Sequence, residues 1–257
     1  VFEKRALFLE KHRIVKRLRR FFETLLFLVS FEMLGQTQIV QRDQYWVGYM
    51  TQGQISTHWS WFNDFHFVPR GFIVVRTGLT FIPYKHLNLN TTVGYGKVYL
   101  YPSRDDFKTL RPEHRPWGQT VYVHGVGTRW RILHRLRYEA RYRRKMQGDA
   151  LAEGYHFNWR WRYMGQVRYN FPKKDNQHGN YYGVLALEIL YNSGKEIKNN
   201  FRLDQMRLLV GAGYQRKQVS YQLGYMNRTV LSSTKDDVYT MNHTLTLWIF
   251  HNYHLFK

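Results

Sequence analysis

The chain has 257 residues and no cysteine, which excludes disulfide bonds and thiolate metal sites. Lys and Arg number 39 against 18 Asp and Glu, giving a formal net charge of +21, and aromatic residues make up 18% of the chain. The positive charge is spread over strand-like segments without a polybasic tail, which argues against a nucleic-acid-binding arm. From Gln38 onward the sequence has no apolar run of about 18 residues, so helical membrane spans are excluded there.

Residues 1–36 have the order of segments found in a secretory signal. The basic cluster Lys16–Arg20 precedes the apolar stretch Phe21–Gly35, and the polar stretch Gln36–Gln38 follows. A charged segment followed by an apolar one is typical of signal peptides. We therefore expect residues 1–36 to direct export and residues 37–257 to form one domain. An amphipathic or buried helix over the apolar stretch is the alternative.

The rest of the chain predicts a succession of β-strands, because apolar and polar side chains alternate with a period of two. The predicted strands are Tyr45–Thr51, Trp59–Val68, Phe72–Phe81, Leu87–Tyr99, Gln119–Arg131, Leu133–Arg144, His156–Tyr169, Tyr182–Asn192, Phe201–Tyr214, Val219–Arg228 and Tyr239–His251. Tight turns are predicted at Pro69–Gly71 and Gln215–Lys217. The predicted polar loops are Pro102–Gly118, Lys145–Gly154, Pro172–Asn180, Ser193–Asn200 and Thr229–Asp237.

The two faces of these strands differ most over Leu133–Asn170, where large apolar and aromatic residues alternate with arginines. A soluble sheet buries its apolar face in a core, whereas a membrane barrel turns that face to lipid and its polar face to the lumen. Several predicted strands are longer than the five or six residues typical of soluble sheets. The sequence therefore favours a closed antiparallel transmembrane β-barrel, an all-β fold, over a soluble sandwich.

The number of strands is predicted from the rule that bacterial barrels contain an even number. Eleven predicted strands would put the two chain ends on opposite sides and the long loop Pro102–Gly118 on the periplasmic side. One further strand within Gln38–Ile82 would remove both conflicts. We therefore predict twelve strands, with ten as the alternative.

Four short motifs also resemble those of a known family. They are Pro112–Gln119 (PEHRPWGQ), Arg135–Arg141 (RLRYEAR), Arg160–Tyr163 with the hydrophobic run that follows, and Gln205–Gly211 (QMRLLVG). In these motifs the chain resembles the bacterial outer-membrane β-barrels grouped as domain of unknown function 2490 (DUF2490), over about Gln38–His251. The resemblance implies a barrel in the bacterial outer membrane and no established activity. The ending Tyr253–Lys257 departs from the terminal aromatic residue usual in such barrels.

The candidate functional residues are the charged side chains predicted to line the lumen. They are Arg129, Arg131, Arg135, Arg137, Glu139, Arg141, Arg143, Arg160, Arg162, Arg168, Glu188 and Arg207. Cross-strand neighbours lie about 5 Å apart, so the two glutamates would accept bidentate bonds from guanidinium groups. This ladder predicts either bracing of a narrow lumen or a narrow pore that prefers anions. The expected partners are outer-membrane lipid and an anionic solute or a lipopolysaccharide phosphate.

Parts of the sequence are compatible with two other functions. A lipid-modifying enzyme would need a nucleophile and a base, and the available side chains are His114, His124, His243, Ser220 and Glu113. Their spacing brings no two of them together, and neither a metal signature nor a cofactor motif is present, so we expect no cofactor and no metal. Arg interleaved with aromatic residues could also bind nucleic acid in a soluble protein, but the expected export opposes this.

Overall fold

A computed structural model describes residues 38–83, 87–102, 108–173, 178–197, 202–231 and 238–255. The predicted secretory signal, residues 1–36, lies outside the described residues. Among the residues described, none forms a helix with the length and apolar character needed to cross a membrane. From Val40 onward, the strands described below belong to one compact unit.

Every described element of regular structure is a β-strand, and each predicted strand is present. The strands are β1 Gln38–Gln54, β2 Trp59–Val68, β3 Phe72–Phe81, β4 Leu89–Leu100, β5 Arg111–Val126, β6 Trp130–Gln147, β7 Ala150–Asn170, β8 Asn180–Ser193, β9 Leu203–Arg216, β10 Val219–Leu231 and β11 Val238–His254. The bounds of β2 and β3 coincide with those predicted from alternation. Most other strands extend a few residues further, because ladder pairing continues beyond the alternating core of each segment.

The strands form a closed barrel in which sequence neighbours are spatial neighbours, and β1 and β11 close the ring. The ten pairings from β1 to β11 are all antiparallel. Ten reversals return β11 to the direction of β1, so the closing pair is parallel. Its contacts agree, because the backbone N–H of Leu255 donates to the carbonyl of Gln54 at 2.8 Å.

The predicted twelfth strand is not found, and the alternative of ten strands is also wrong for the described barrel. The segment Gln38–Ile82 holds only β1, β2 and β3, with a continuous β1 of 17 residues. The prediction failed because it required every neighbouring pair to be antiparallel, whereas the parallel closing pair allows an odd number. As a result β1 begins at one end of the barrel, here the N-terminal end, and β11 finishes at the other, the C-terminal end.

Both long and short stretches of sequence separate consecutive strands at each end of the barrel. The connections β2–β3, β4–β5, β6–β7, β8–β9 and β10–β11 start from the N-terminal end, and the connections β1–β2, β3–β4, β5–β6, β7–β8 and β9–β10 start from the C-terminal end. Several loop predictions were wrong in part, and residues 229–231 of the expected loop Thr229–Asp237, for example, belong to β10. Residues 111–118 of the expected loop Pro102–Gly118 belong to β5, and the expected loop Lys145–Gly154 is a two-residue turn in the β6–β7 hairpin.

The β6–β7 hairpin extends beyond its neighbours at the N-terminal end. The pairing of β5 with β6 stops at Glu113↔Arg143, whereas β6 and β7 stay paired to Gln147↔Ala150. At the tip, the backbone N–H groups of Lys108 and Thr109 donate to the carboxylate of Asp149. These two bonds lower the pKa of Asp149, because they favour the ionised form. The exposed hairpin tip is thereby attached to the loop between β4 and β5.

The barrel has the opposite polarity to a soluble domain. Large apolar side chains point outward on nearly every strand, including Val210 and Leu223, which are 55% and 56% exposed. The largest fully buried side chains are mostly polar or charged, among them Glu113, Glu139 and Asn158. A smaller apolar cluster of Trp46, Val68, Ala186, Leu209 and Met226 also lies inside the barrel. The interior is therefore a packed polar core with an apolar part.

Candidate functional site: an arginine–carboxylate network inside the barrel

The inward faces of β2 to β9 carry nine arginines and five carboxylates in one continuous network of ion pairs. Its members are Asp64, Arg76, Glu113, Arg115, Arg135, Arg137, Glu139, Arg141, Arg143, Arg160, Arg162, Glu188, Asp204 and Arg207. The nine guanidinium groups exceed the carboxylates by four. The strand pleat places these side chains in the interior, because alternate residues of each strand point inward.

Glu139 lies at the centre of the network and is fully buried. Arg160, directly opposite on β7, donates from Nε to Glu139 Oε2 at 2.8 Å, and Arg162 Nη1 donates to Oε1 at 2.7 Å. Arg115 Nη1 lies 3.7 Å from Oε2 and Arg76 Nη1 lies 3.8 Å from Oε1. One carboxylate thus contacts arginines from β3, β5 and β7, and it joins strands that are not adjacent in the sheet.

Glu188 connects the far side of the network. Arg162 donates to its Oε1 from Nε at 3.0 Å and from Nη2 at 2.8 Å, and Arg135 Nη2 donates to the same oxygen at 2.7 Å. Arg207, opposite Glu188 on β9, donates from Nη1 to Oε2 at 3.0 Å. Since Arg162 bonds to both Glu139 and Glu188, it links the two carboxylates across β6, β7 and β8.

Glu113 is the third carboxylate hub. Arg141 binds it in a bidentate way, with Nε donating to Oε1 and Nη2 to Oε2, both at 3.0 Å. Arg115, two residues along β5, donates from Nε to Oε1 at 2.6 Å. Arg143 Nε lies 3.8 Å from Oε2, and Arg143 Nη2 donates to Asn158 at 3.0 Å. Glu113 therefore fixes three arginines near the N-terminal end of the barrel interior.

Asp204 enters the interior through a β-bulge. The pairing of β8 with β9 shifts between Leu190↔Gln205 and Tyr191↔Leu203, which leaves Asp204 as the extra residue. A bulge of this kind redirects a side chain that simple alternation would place on the other face. Asp204 is consequently buried and accepts a bond from Arg160 Nη1 at 3.1 Å.

The structure brings nine of the twelve predicted residues into this network. The other three lie at the C-terminal end: Arg129 is exposed and donates to the Tyr169 hydroxyl at 3.3 Å, while Arg131 and Arg168 face each other across β6 and β7. Five members were missed, namely Asp64, Arg76, Glu113, Arg115 and Asp204. Glu113 and Arg115 fell in a predicted loop, although Glu113, Arg115, Trp117 and Gln119 alternate with outward residues.

Asp64 and Arg76 form a further pair that the sequence pattern did not single out. They are direct partners in the β2–β3 register, and Arg76 donates from Nε to Asp64 Oδ1 at 2.8 Å. Each is the only charged member of its own strand's inward face, so neither produces a visible charge pattern. The register of the hairpin around Pro69–Gly71 was the only available signal.

The side chains considered for an enzyme lie on different faces. His114 and His243 face outward, against the hydroxyls of Tyr95 and Tyr225. Ser220 faces inward and bonds to the Tyr182 hydroxyl at 2.7 Å, while Glu113 is held by arginines. His124 stacks on His134 with ring centroids 5.5 Å apart. No described pair of these residues forms a nucleophile–base contact.

Tyrosine–histidine contacts recur on the outward face. Besides the two pairs above, His134 Nδ1 contacts the Tyr163 hydroxyl at 2.8 Å, and His251 Nδ1 contacts the Tyr49 hydroxyl at 3.1 Å. Each contact gives an outward imidazole a partner from the neighbouring strand, which matters most where water is absent. In the described ranges, no group of three or more His, Asp or Glu side chains is placed to hold a metal ion.

Comparison with known proteins gives one match. A family model described as "Protein of unknown function (DUF2490)" matches residues 43–239, which is more than half of the chain and includes the whole network. Neither the curated proteins nor the solved structures yielded a match.

Proposed function

The chain belongs to the DUF2490 family, and since that family is described as proteins of unknown function, we propose a function from the geometry of the barrel. We propose that the protein spans the bacterial outer membrane after export, and that its role is structural, with its lumen closed by the arginine–carboxylate network. The partner on the outside of the barrel is then outer-membrane lipid.

The observation that carries this proposal is the inverted polarity of the barrel. The outward positions of β8, β9 and β10 are apolar along most of their length, while Glu113, Glu139 and Arg137 are buried inside. A soluble protein rarely exposes an apolar surface of this extent, whereas a membrane barrel requires an apolar outer band. The inner network suits the same environment, because it fills a narrow barrel with paired polar groups.

Aromatic side chains at the ends of the strands support the membrane assignment. At the C-terminal end, Trp130 and Tyr169 have ring centroids 4.7 Å apart, and Tyr181 and Tyr214 are separated by 4.8 Å. At the N-terminal end, Tyr142 and Phe157 are 4.8 Å apart. Aromatic girdles of this kind mark the two membrane–water interfaces of outer-membrane barrels.

A narrow anion-preferring pore is the second candidate, favoured by the excess of four arginines over carboxylates within the network. Rings of Arg favour anionic solutes. Conduction would require the network to open, because its central carboxylate is fully buried. Planar-bilayer recordings distinguish the two roles: a closed structural barrel gives no steady conductance, and an anion pore gives currents with a reversal potential set by the anion.

Substitution on the outward face tests the membrane proposal. Val210 lies near the middle of β9, and replacing it by Arg would place a charge in hydrocarbon at a cost of about 2–4 kcal/mol. We expect Val210→Arg to reduce folding into lipid vesicles, measured by heat-modifiable migration on gels and by urea titration.

The matched control is Leu203→Arg, at the start of the same strand and also facing outward, where the charge can reach the interface. It should fold nearly as well as the parent chain. If Val210→Arg proved as stable as the parent, or if the purified chain stayed dissolved without detergent, the outer-membrane proposal would be wrong.

A further inference from the structure

The C-terminal end of the barrel interior holds a cavity of about 740 Å³, separate from the network. We call it the vestibule. Its lining includes the apolar side chains of Val123 and Leu133 and the basic side chains of Arg131, Arg168, Lys173 and Lys217. Its volume is within the range of small-molecule sites, roughly 300–1,000 Å³.

Charge is balanced differently in the vestibule and in the network. Each arginine of the network lies within 4.0 Å of a carboxylate oxygen. The vestibule has Arg131, Arg168, Lys173 and Lys217, and none of its described lining residues is acidic. It is therefore a cationic cavity without an internal counter-charge from the lining that the structure describes.

Arg131 and Arg168 are direct partners in the β6–β7 register. Like charges directly opposite each other on a sheet are destabilising, and their side chains start about 5 Å apart. Within the network, the similar pair Arg137↔Arg162 has Glu139 within reach of both arginines. The Arg131 guanidinium leans toward Gly125 on β5 and the Arg168 guanidinium toward Gln215 on β9, so both line the vestibule, and an anion bound there would supply the counter-charge that this pair lacks.

Arg168 is held in place by neutral groups. Its Nε donates to Asn170 Oδ1 at 2.9 Å, its Nη2 donates to Gln215 Oε1 at 2.7 Å, and its guanidinium lies 3.7 Å from the centre of the Tyr182 ring. These contacts fix the guanidinium without cancelling its charge, and Nη1 makes no hydrogen bond with another described residue. A fixed arginine with a free donor is suited to phosphate oxygens.

We propose that the vestibule binds a small phosphate monoester. The phosphate would lie in the cavity lined by Arg131 and Arg168, and the organic part would lie against the apolar side chains of Val123 and Leu133. Phosphate binding in the vestibule depends on the barrel fold and not on its location in a membrane. Either proposal can therefore fail while the other stands. The phosphate group could belong to a soluble ester or to a lipid headgroup.

Calorimetric titration of the full chain in a non-ionic detergent tests the site with two probes. Glycerol 3-phosphate represents soluble esters, and phosphatidic acid in mixed micelles represents lipid headgroups, with glycerol as the uncharged control. Saturable binding of either probe supports the site. The probe that binds shows whether the phosphate group belongs to a soluble ester or to a lipid headgroup. Saturable binding of neither probe overturns it.

Variants locate the binding within the vestibule. Losing one charged hydrogen bond should weaken binding about tenfold or more in Arg168→Gln. Arg131→Gln should act similarly. It also provides a second test if Arg168→Gln fails to fold, because among the described residues the Arg131 side chain donates only to the Trp130 carbonyl, at 3.3 Å. Arg216→Gln is the matched control, since Arg216 lies at the same end but points outward. If Arg216→Gln weakened binding as much as the others, the binding would be non-specific attraction and the proposal would be wrong.

Discussion

Glu139 is the residue on which the interior charge balance depends most. It accepts bonds from Arg160 and Arg162 and lies within 4.0 Å of Arg76, Arg115 and Arg137. Removing one partner of a buried ion pair typically costs about 3–5 kcal/mol, because it leaves uncompensated charge. We expect Glu139→Gln to lower the free energy of unfolding by this amount, measured by urea titration in lipid vesicles.

The matched control for that substitution is Glu153→Gln. Glu153 lies on the exposed part of the β6–β7 hairpin, so its neutralisation should change the free energy of unfolding by less than about 0.5 kcal/mol. Equal effects from the two substitutions would show that the network does not brace the barrel.

Alternation in the sequence predicted which arginines share the interior, but it predicted the acidic partners less well. Glu139 and Glu188 were found because they interrupt arginine-rich or apolar strands. Asp204 could not be found this way, since its inward direction comes from a bulge in the β8–β9 register. The pairing of guanidinium groups with carboxylates depends on the stagger between neighbouring strands. The alternation of side chains in the sequence does not reveal that stagger.

Among the strands, β3 and β4 approach closely at a pair of glycines. Gly78 and Gly94 are direct partners, and the ring of Trp117 packs over them from β5. A Cβ on Gly94 would collide with the backbone carbonyl of Thr77, so the strands would have to move apart. We expect Gly94→Ala to destabilise the barrel by about 1–3 kcal/mol in urea titration.

Gly165→Ala is the control for this close approach. Gly165 lies within β7, five residues before its end, and the nearest atom that its Cβ would meet is the Tyr163 hydroxyl at 3.8 Å. The substitution should be neutral or slightly stabilising. A neutral result for Gly94→Ala as well would mean that the β3–β4 contact is looser than described.

The parallel closure of β1 on β11 can be tested through the position of the two chain ends. The chain has no cysteine, so Gln41→Cys and Leu255→Cys each carry a single thiol. With eleven strands, a membrane-impermeant maleimide should label the two positions from opposite sides of vesicles that hold the protein in one orientation. Labelling of both from the same side would indicate an even number of strands.

Each of the eleven strands was predicted from the sequence. The total was nevertheless wrong, because a twelfth strand was added to make the number in the barrel even. The strands follow from local alternation, which is strong in long segments such as β7. Closure depends on how the first and last strands meet, and these are far apart in sequence. The prediction used the even-number rule because the sequence does not show whether the first and last strands pair in a parallel or an antiparallel way. That rule led to the wrong number of strands.

At the scale of the whole molecule, one distribution of side chains explains both the fold and its proposed location. The barrel turns aliphatic and aromatic side chains outward and holds most of its buried charges in one network of ion pairs. This arrangement is unfavourable in water, where the outer face would remain hydrated. In a bilayer the same face is matched to hydrocarbon, and every strand edge is closed by a neighbour.

The most direct measurement is the accessibility of a spin label on the outer face of the barrel in lipid vesicles. Val210→Cys and Leu223→Cys place single labels near the middle of β9 and β10, and Leu255→Cys places one beyond β11. We expect the first two labels to collide often with dissolved oxygen and rarely with a water-soluble nickel chelate, and Leu255→Cys to show the opposite. Free access of the nickel chelate to the labels at Val210 and Leu223 would show that the apolar face meets water, and the membrane assignment would then be wrong.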